Sequence, residues 1–246
     1  MPGEGQPPFA TGCEEKGAAE LVMRISIIIP TLNEANNIQG LIEQTRRLGP
    51  NEIIVVDGSS TDDTAAHAKG ADQVLTSVRG RARQQNLGAS ASTGDVLLFL
   101  HADCRLPESS LASITEVMKD PSVVGGCFQQ TIDAPGWRYR IMERGNSARV
   151  RWLRMAYGDQ GIFVRKTVFD AIGQFPDLRL MEDVFLMKRL TKRGKFVLLP
   201  DRLVVSARRW QKHGIFRQTL RNWTLLTLAF CGVSPDRLAR FYPNTR

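Results

Sequence analysis

Ile25-Ser-Ile-Ile-Ile29, followed by Pro30-Thr-Leu-Asn-Glu34, is the segment of the sequence that decides the fold. The first five residues form an apolar, β-branched run that Pro30 closes, which is typical of a strand buried on both faces. A strand and then a helix recur along the next ninety residues, with strands at 25–29, 52–56, 73–76 and 95–100 and helices at 34–48, 61–69, 79–91 and 108–119. This alternation predicts a doubly wound, mostly parallel α/β sheet flanked by helices.

The C-terminal half is less regular. Its predicted strands are 123–132, 160–164 and 195–199, and its predicted helices are 137–157, 182–193 and a tail from 211. We find no internal repeat and no linker, so the sequence predicts one domain, residues 24–246, with C-terminal helical elaboration. Residues 1–23 are acidic and rich in Gly and Pro, and predict a flexible leader.

Composition indicates a basic, globular protein. The chain has 33 Lys and Arg against 25 Asp and Glu, a net charge of +8 that points to an anionic partner such as nucleic acid, acidic lipid or a phosphorylated small molecule. Its four cysteines are scattered, which argues against disulfides and fits a reducing compartment. With neither a secretory signal nor an apolar run of membrane-spanning length, the sequence predicts a soluble, cytoplasmic protein.

Polar clusters follow two of the predicted strands, at the sheet edge where α/β proteins bind ligands. Asp57 could accept hydrogen bonds from a base or ribose hydroxyl, or could cap the next helix. His101 and Asp103 could hold Mg²⁺ or Mn²⁺ together with substrate phosphates, or could be a packed histidine and a turn aspartate. Glu182 and Asp183 open a helix, where the helix dipole favours acidic residues, so residue type alone does not make Asp183 a base.

Common catalytic motifs are missing from the sequence. It has neither a G-x-x-x-x-G-K-[ST] loop nor a strand-linked G-x-G-x-x-G, and no G-x-S-x-G elbow or H-E-x-x-H pair. With only three histidines, the chemistry must rest mainly on carboxylates.

Five motifs, in order along the chain, resemble those of family 2 glycosyltransferases. They are Ile27–Glu34 (IIIPTLNE), Val55–Asp62 (VVDGSSTD), Phe99–Asp103 (FLHAD), Gly158–Gly161 (GDQG) and Leu180–Asp183 (LMED). The resemblance extends from about Arg24 to the C-terminus. It looks closest to the small, soluble, single-domain branch related to carotenoid-acid glycosyltransferases.

The resemblance implies a GT-A fold, a nucleotide-diphosphate sugar such as a UDP- or GDP-sugar, a divalent metal (Mn²⁺ or Mg²⁺) and inversion at the anomeric carbon. It implies that Asp57 contacts the base, Asp103 binds the metal and Asp183 deprotonates the acceptor hydroxyl. The donor-binding residues carried over are Pro30, Thr31, Asn33, Glu34, Asp57, Ser59, Arg81, His101 and Asp103. On the acceptor side they are Glu182, Asp159, Gln160, Arg209 and Trp210, and His101 or His213 is a candidate second metal ligand.

Two positions depart from the family pattern. His101 stands where the D-x-D element has its first carboxylate, which puts the usual sugar or ribose contact and the metal preference in doubt. Ser206-Ala-Arg-Arg-Trp210 replaces the Q-x-x-R-W element of processive members. Together with the lack of a membrane span, this predicts transfer of a single sugar.

The predicted helix 137–157 combines six arginines with two tryptophans and two tyrosines. This mixture suits an anionic or lipid acceptor, peripheral contact with the inner face of the membrane, or single-stranded nucleic acid. It equally suits a solvated helix face with its aromatic residues packed inward.

Two other functions stay open from the residues alone. One is a sugar-phosphate nucleotidyltransferase, disfavoured because Pro30–Glu34 replaces the Gly-rich basic loop of such enzymes. The other is a non-catalytic nucleotide- or RNA-binding module on the same fold, which His101 keeps open. We favour the glycosyltransferase, and nucleic acid is not the favoured partner.

Overall fold

The structure is a computed structural model that describes residues 23–241, apart from the side chains of Arg209, His213, Phe216 and Arg217. Nearly all of the predicted leader, residues 1–22, lies outside the described residues. So do the side chains of Arg209 and His213, so their predicted roles on the acceptor side and at the metal stay predictions.

Eight strands form one sheet. They are β1 (Ile25–Thr31), β2 (Glu52–Asp57), β3 (Gln73–Thr76), β4 (Val96–Phe99), β5 (Cys104–Arg105), β6 (Val123–Asp133), β7 (Ile162–Arg165) and β8 (Lys195–Ser206). Their order across the sheet is β3-β2-β1-β4-β7-β6-β8-β5. Strands β1, β2, β3, β4, β6 and β8 run in one direction, and β7 and β5 run against it. The prediction of a mostly parallel sheet is therefore confirmed.

Helices flank this sheet. They are α1 (Ala35–Arg46), α2 (Thr64–His67), α3 (Arg81–Ala91), α4 (Ser110–Met118), α5 (Trp137–Leu153), α6 (Lys166–Ala171), α7 (Glu182–Leu190), α8 (Arg208–His213), α9 (Ile215–Phe230) and α10 (Pro235–Leu238). Short 3-10 turns span Gly158–Gln160 and Ala239–Phe241. Among the residues described, no helix is both long enough and apolar enough to cross a bilayer.

Strand β1 is buried on both faces because its side chains alternate between two hydrophobic clusters. Ile27 and Ile29 pack in one cluster, and Ile28 packs in the other. Helix α3 comes very close to this second face at Gly88, where a Cβ would lie 2.5 Å from Cγ2 of Ile28. The apolar run that predicted the fold is thus the centre of the sheet.

The C-terminal half differs from its prediction in several details. Strand β5 and helix α6 were not predicted, since two residues and six residues are too few to show a period. Strand β8 continues to Ser206, beyond the predicted end at Leu199. A register shift against β6 at Phe128/Gln129 makes this possible, because it leaves Pro200 and Asp201 without a partner in the ladder. Gln160, predicted to begin a strand, lies in the 3-10 turn before β7.

Candidate functional site

The loops that follow β1 and β2 are tied to each other at the carboxyl edge of the sheet. Asn33 and Ser59 both have a positive backbone φ, 52° and 63°, a conformation that residues other than glycine seldom adopt. The main-chain N–H of Asn33 donates to Oγ of Ser60 at 2.9 Å, and its side-chain Oδ1 accepts the N–H of Thr61 at 2.9 Å. Two strained loops held against each other are the kind of feature that accompanies functional sites.

Asp57 closes the loop after β2. Its carboxylate accepts the N–H of Ser60 at 2.9 Å and the Ser60 hydroxyl at 2.5 Å, and the Thr31 hydroxyl lies 3.4 Å away. Helix α2 begins only at Thr64, so Asp57 does not act as the helix cap that the sequence left open as an alternative. Ser59 is exposed, and its hydroxyl donates to the carbonyl of Ser77 at 3.0 Å. Pro30 is buried in β1 opposite Val56.

Gln84 of α3 links the ends of β1 and β2 through hydrogen bonds. Sequence reasoning did not identify this residue. Its buried side-chain amide donates to the carbonyls of Thr31 at 2.7 Å and Val56 at 2.9 Å. Thr31 is the last residue of β1 and Val56 is the last but one of β2, so these hydrogen bonds fix where the two loops start. A polar residue within a polar helix offered no hydrophobic signal to reveal this role.

Glu34 and Asp103 are brought together by Arg208, a second residue that sequence reasoning missed. The Arg208 guanidinium lies 3.3 Å from Oε2 of Glu34 and 3.9 Å from Oδ2 of Asp103. Glu34 is buried, whereas Asp103 and Arg208 are partly exposed. The N–H of Ser206 also donates to the Asp103 carbonyl at 3.1 Å, which ties the loop after β4 to the end of β8.

Asp103 fits a divalent cation only with help from a bound ligand. Within residues 23–241 there is no group of three His, Cys, Asp or Glu side chains that could hold a metal. A single partly exposed carboxylate suits Mg²⁺ or Mn²⁺ when substrate phosphates and water complete the coordination shell. The donor set therefore fits a metal that binds together with a diphosphate.

An open pocket lies beside this edge and is lined by several of the predicted residues. Its lining includes the predicted site residues Arg81, His101, Asp159, Glu182 and Asp183. The remaining wall is mostly apolar and comes from Leu180, Met181, Val184, Leu225 and Leu226, with Tyr157, Gly158 and Asn222. One side of the pocket is thus charged and the other is hydrophobic.

Asp183 sits at the N-terminal end of α7 with its carboxylate facing this pocket. Oδ2 accepts the N–H of Gly158 and Oδ1 accepts the N–H of Val184, both at 2.7 Å. Burial raises the pKa of Asp183 to about 6, and the neighbouring Glu182 carboxylate adds to the rise. The two N–H groups and Arg81 oppose the shift. A carboxylate with this pKa is suited to accept a proton near neutral pH.

Glu182, next to Asp183, forms a salt bridge across the pocket. Its buried carboxylate accepts a hydrogen bond from Arg81 at 3.1 Å. Arg81 is the first residue of α3 and Glu182 is the first residue of α7, so the pair joins the two halves of the molecule at the site. Met181, just before Glu182, has a positive φ of 65°, which marks a third strained position at this edge.

The absence of a side chain at Gly158 allows His101 to come close to the main chain there. A Cβ at this position would lie 2.9 Å from Nε2 of His101 and 3.6 Å from Oδ2 of Asp183. His101 is buried, so the imidazole that replaces the first carboxylate of D-x-D forms part of the pocket floor.

The other residues predicted on the acceptor side lie in different parts of the structure. Asp159 lines the pocket, while its carbonyl accepts the side-chain amide of Gln130 at 3.0 Å. Gln160 is fully buried, and its side-chain oxygen accepts hydrogen bonds from Arg149 at 2.8 Å and from the N–H of Tyr157 at 3.1 Å. Trp210 is buried in the hydrophobic core. Neither Gln160 nor Trp210 contributes to the pocket lining.

The arginines of α5 divide between packing and exposure. Arg140 pairs with buried Glu143 at 2.9 Å, and the Arg149 guanidinium stacks 3.6 Å from the ring centre of Tyr157. Arg138, Arg144, Arg151 and Arg154 are exposed. The exposed positions also include Trp137 and Trp152, so the two tryptophans do not pack inward as the alternative for this helix expected.

Parallel strands with polar loops at their carboxyl ends, beside a pocket that holds a carboxylate of raised pKa, are typical of the ligand-binding edge of α/β proteins. Residues 26–176 match the model of Glycosyl transferase family 2, and the chain belongs to that family. Membership of this family does not favour the nucleotidyltransferase or the RNA-binding module.

Two curated relatives share this family. The chain is 28% identical over 191 residues to the glycosyltransferase AglE of Haloferax volcanii, covering 69% of this chain and 62% of the relative. It is 28% identical over 156 residues to an undecaprenyl-phosphate 4-deoxy-4-formamido-L-arabinose transferase of Sodalis glossinidius, covering 58% and 48%. The chain thus spans about half to three fifths of these relatives.

A solved structure confirms the GT-A fold. The mannosyltransferase PcManGT from Pyrobaculum calidifontis, in complex with GDP-Man and Mn²⁺, aligns with a TM-score of 0.66 at 18% identity. The alignment covers 89% of this chain and 68% of PcManGT. At this identity the likeness concerns the fold.

Proposed function

We propose that this glycosyltransferase moves one sugar from a nucleotide-diphosphate sugar to an acceptor hydroxyl, with inversion at the anomeric carbon. The observation that carries the proposal is the position of Asp183, whose carboxylate faces the pocket with a pKa of about 6. In a direct displacement, the acceptor hydroxyl must lose its proton as it attacks the sugar. One carboxylate on the acceptor side is sufficient for that step.

The donor would bind along the edge formed by the loops after β1, β2 and β4. The tied loops of Asn33 and Ser60, together with Asp57, supply hydrogen-bonding groups for a nucleoside, in keeping with the roles that the resemblance implies. Asp103 would hold Mn²⁺ or Mg²⁺ with the diphosphate, as the Mn²⁺ and GDP-Man in PcManGT suggest. The metal would stabilise charge on the diphosphate leaving group.

Arg208 and Arg81 bring two permanent positive charges to the same region. Arg208 lies beside Asp103, and Arg81 reaches the pocket through its pair with Glu182. Guanidinium groups bind phosphate oxygens in a fixed geometry, so both are suited to the diphosphate end of a donor.

The acceptor would lie against Asp183 and the apolar wall. Leu180, Leu225 and Leu226 suit a hydrophobic body next to the reacting hydroxyl, and the undecaprenyl-phosphate transferase among the relatives supports a lipid-linked acceptor. We retain the predictions of single-sugar transfer, of one domain over residues 24–246, and of a cytoplasmic protein at the membrane surface. The carotenoid-acid branch also stays a prediction.

The first experiment is a thermal-shift panel with UDP, GDP, CDP and dTDP, each with and without Mn²⁺. A ligand that binds only the native state stabilises it by about 2.7 kcal/mol at a hundredfold excess over Kd. We expect one nucleotide to raise Tm in the presence of Mn²⁺, and Asp103→Ala to abolish the part of the shift that depends on Mn²⁺.

The matched control is Asp133→Ala, which removes an exposed carboxylate that pairs with Arg105 at 2.8 Å, away from the pocket lining. It should leave every shift unchanged. If no nucleotide shifts Tm with or without the metal, the proposed donor class is wrong.

A further inference from the structure

Helix α9 has an apolar surface on two sides. On the inner side Leu225 and Leu226 are buried and line the pocket. On the outer side Leu220, Trp223 and Phe230 are 71%, 55% and 56% exposed. Exposed apolar side chains are common one at a time, but several of them along one helix that also walls the pocket indicate a contact surface.

The outer surface of α9 is also uncharged over a long stretch. The sequence from Asn222 to Pro235 contains no acidic or basic residue. Thr224, Thr227 and Cys231 are exposed among the apolar side chains, so the polar groups on this surface are small and neutral. Such a surface loses little hydration free energy when it leaves water.

The C-terminal part of the sequence, to which α9 belongs, is strongly basic. Residues 202–246 contain nine basic residues and one acidic residue, a net charge of +8, which equals the net charge of the whole chain. Residues 1–201 are therefore balanced, with 24 of each sign. Exposed Arg237 belongs to this basic region and lies on α10, which packs against α9.

We propose that the outer face of α9, defined by Leu220, Trp223, Leu228 and Phe230, docks on an anionic lipid bilayer. Apolar side chains that enter the headgroup region and a basic surround that attracts acidic lipid are the two requirements of an interfacial helix. A second copy of the chain is a poorer occupant, because pairing through this face would bring two basic C-terminal segments together.

Docking in this way would place the pocket directly behind the lipid surface. Leu225 and Leu226, on the buried side of the same helix, line the pocket. If the proposed function holds, the acceptor hydroxyl belongs to a membrane-embedded molecule that reaches Asp183 past the end of α9.

Vesicle flotation tests the docking without any assay of activity. Wild-type protein should float with vesicles of phosphatidylcholine and phosphatidylglycerol and not with phosphatidylcholine alone, and salt should weaken the binding. The double variant L220S/W223S should lose at least about tenfold in affinity, because two apolar side chains no longer enter the lipid.

Trp152→Ser is the matched control, since Trp152 is 84% exposed on basic helix α5. It should float like wild type. If W152S abolishes flotation and L220S/W223S does not, the contact lies on α5 and the proposal is wrong. Absence of flotation by wild type on anionic vesicles also overturns it.

Cys231 gives a second, independent readout. It is exposed at the end of α9, while Cys104 and Cys127 are buried, so a polarity-sensitive fluorophore can be attached there once Cys13 is replaced by Ser. Emission should shift to the blue on adding anionic vesicles, and a label at exposed Ala112→Cys on α4, in protein with Cys231 replaced by Ser, should not respond. A shift that instead follows protein concentration without vesicles would mean that a second copy covers α9, and would overturn the proposal.

These outcomes are separable from those of the proposed function. The nucleotide-dependent rise in Tm does not require lipid, so L220S/W223S should keep it in full. If wild type shows no nucleotide shift but floats, the donor class is wrong and the docking surface stands.

Discussion

The donor half of the molecule, β1 to β4 with α1 to α3, is held together by different contacts from the acceptor half, β6 to β8 with α5 to α9. In the donor half every residue of β1 and β2 is buried, and the strand ends are fixed by Gln84 and Asp57. In the acceptor half, arginine side chains bind main-chain carbonyls. Arg140 donates to Ile132, Arg149 to Met155, Arg165 to Val123 and Arg189 to Ile172, at 2.8–3.1 Å.

This difference follows from the geometry of the two parts of the sheet. Parallel strands of matched length satisfy their own carbonyls, so the donor half needs few side chains for that purpose. The acceptor half has irregular loops and a strand with register shifts, which leave carbonyls that only long donors can reach. We therefore expect the donor half to dominate stability and the acceptor half to carry the chemistry.

The largest effect should come from Asp183→Asn, which removes the proposed base without changing its shape. We expect the rate of sugar transfer to fall by about 10²–10⁴-fold, since no other group would take the proton. Nucleotide-dependent stabilisation in the thermal-shift assay should persist. Steady-state kinetics with a donor identified by that assay checks the prediction.

The dependence of kcat/KM on pH is a further test of Asp183 as the base. Because the Asp183 carboxylate must be deprotonated to act, kcat/KM should rise about tenfold per pH unit below its pKa of about 6 and level off above it. The raised pKa also means that unfolding free energy falls as the pH rises from the ordinary aspartate range to about 6. Asp177→Asn, at an exposed carboxylate bound by Arg83, should leave the pH profile of kcat/KM unchanged. Activity above a tenth of wild type in D183N would exclude Asp183 as the base.

A smaller effect, on stability, should come from Gln84→Leu in the donor half. It leaves the carbonyls of Thr31 and Val56 buried with fewer donors, and should lower the unfolding free energy by about 1–3 kcal/mol. Gln39→Leu, which breaks an exposed hydrogen bond to Glu43 in α1, is the control and should shift it by less than about 0.5 kcal/mol. Urea unfolding measures both. Equal losses in the two variants would mean that Gln84 does not fasten the strands.

The smallest predicted change in unfolding free energy comes from two glycine substitutions, which compare the packing of the two halves. Gly145 lies in the middle of α5, where an added Cβ meets nothing within 4 Å. Gly145→Ala should therefore stabilise the protein by about 0.5–1 kcal/mol, as expected for a helix interior. Gly88→Ala in α3 should destabilise it instead, because its Cβ would overlap Ile28. If both substitutions stabilise, the two halves do not differ in packing as the structure indicates.

Sequence reasoning predicted the donor half well because its signals are local. The run Ile25–Ile29 alone indicates a buried strand, and the carboxyl ends of parallel strands must meet at one edge, which places Asp57 and Asp103 near a common site. The buried face of α3 gives no such signal, since Ala82, Gln84 and Gly88 are small or polar.

The acceptor half was predicted less well because its contacts join distant parts of the sequence. Arg208 reaches residues 34 and 103, and nothing in the sequence around it specifies either partner. Residue type also left Asp183 undecided, and only the resemblance singled it out. The structure adds what residue type lacks, namely the burial that raises the pKa of its carboxyl.

The pairing of β6 with β8 also constrains the order of events during synthesis. These parallel neighbours span residues 123–133 and 195–206, so the intervening chain, which contains Gly158 and Asp183, is a long loop until they meet. A ribosome must therefore deliver the residues from Lys195 onward before β8 can pair with β6, whereas β1 to β4 can pair far earlier. A nascent chain stopped after β4 would contain the loops of Asn33 and Asp57 and lack both Gly158 and Asp183.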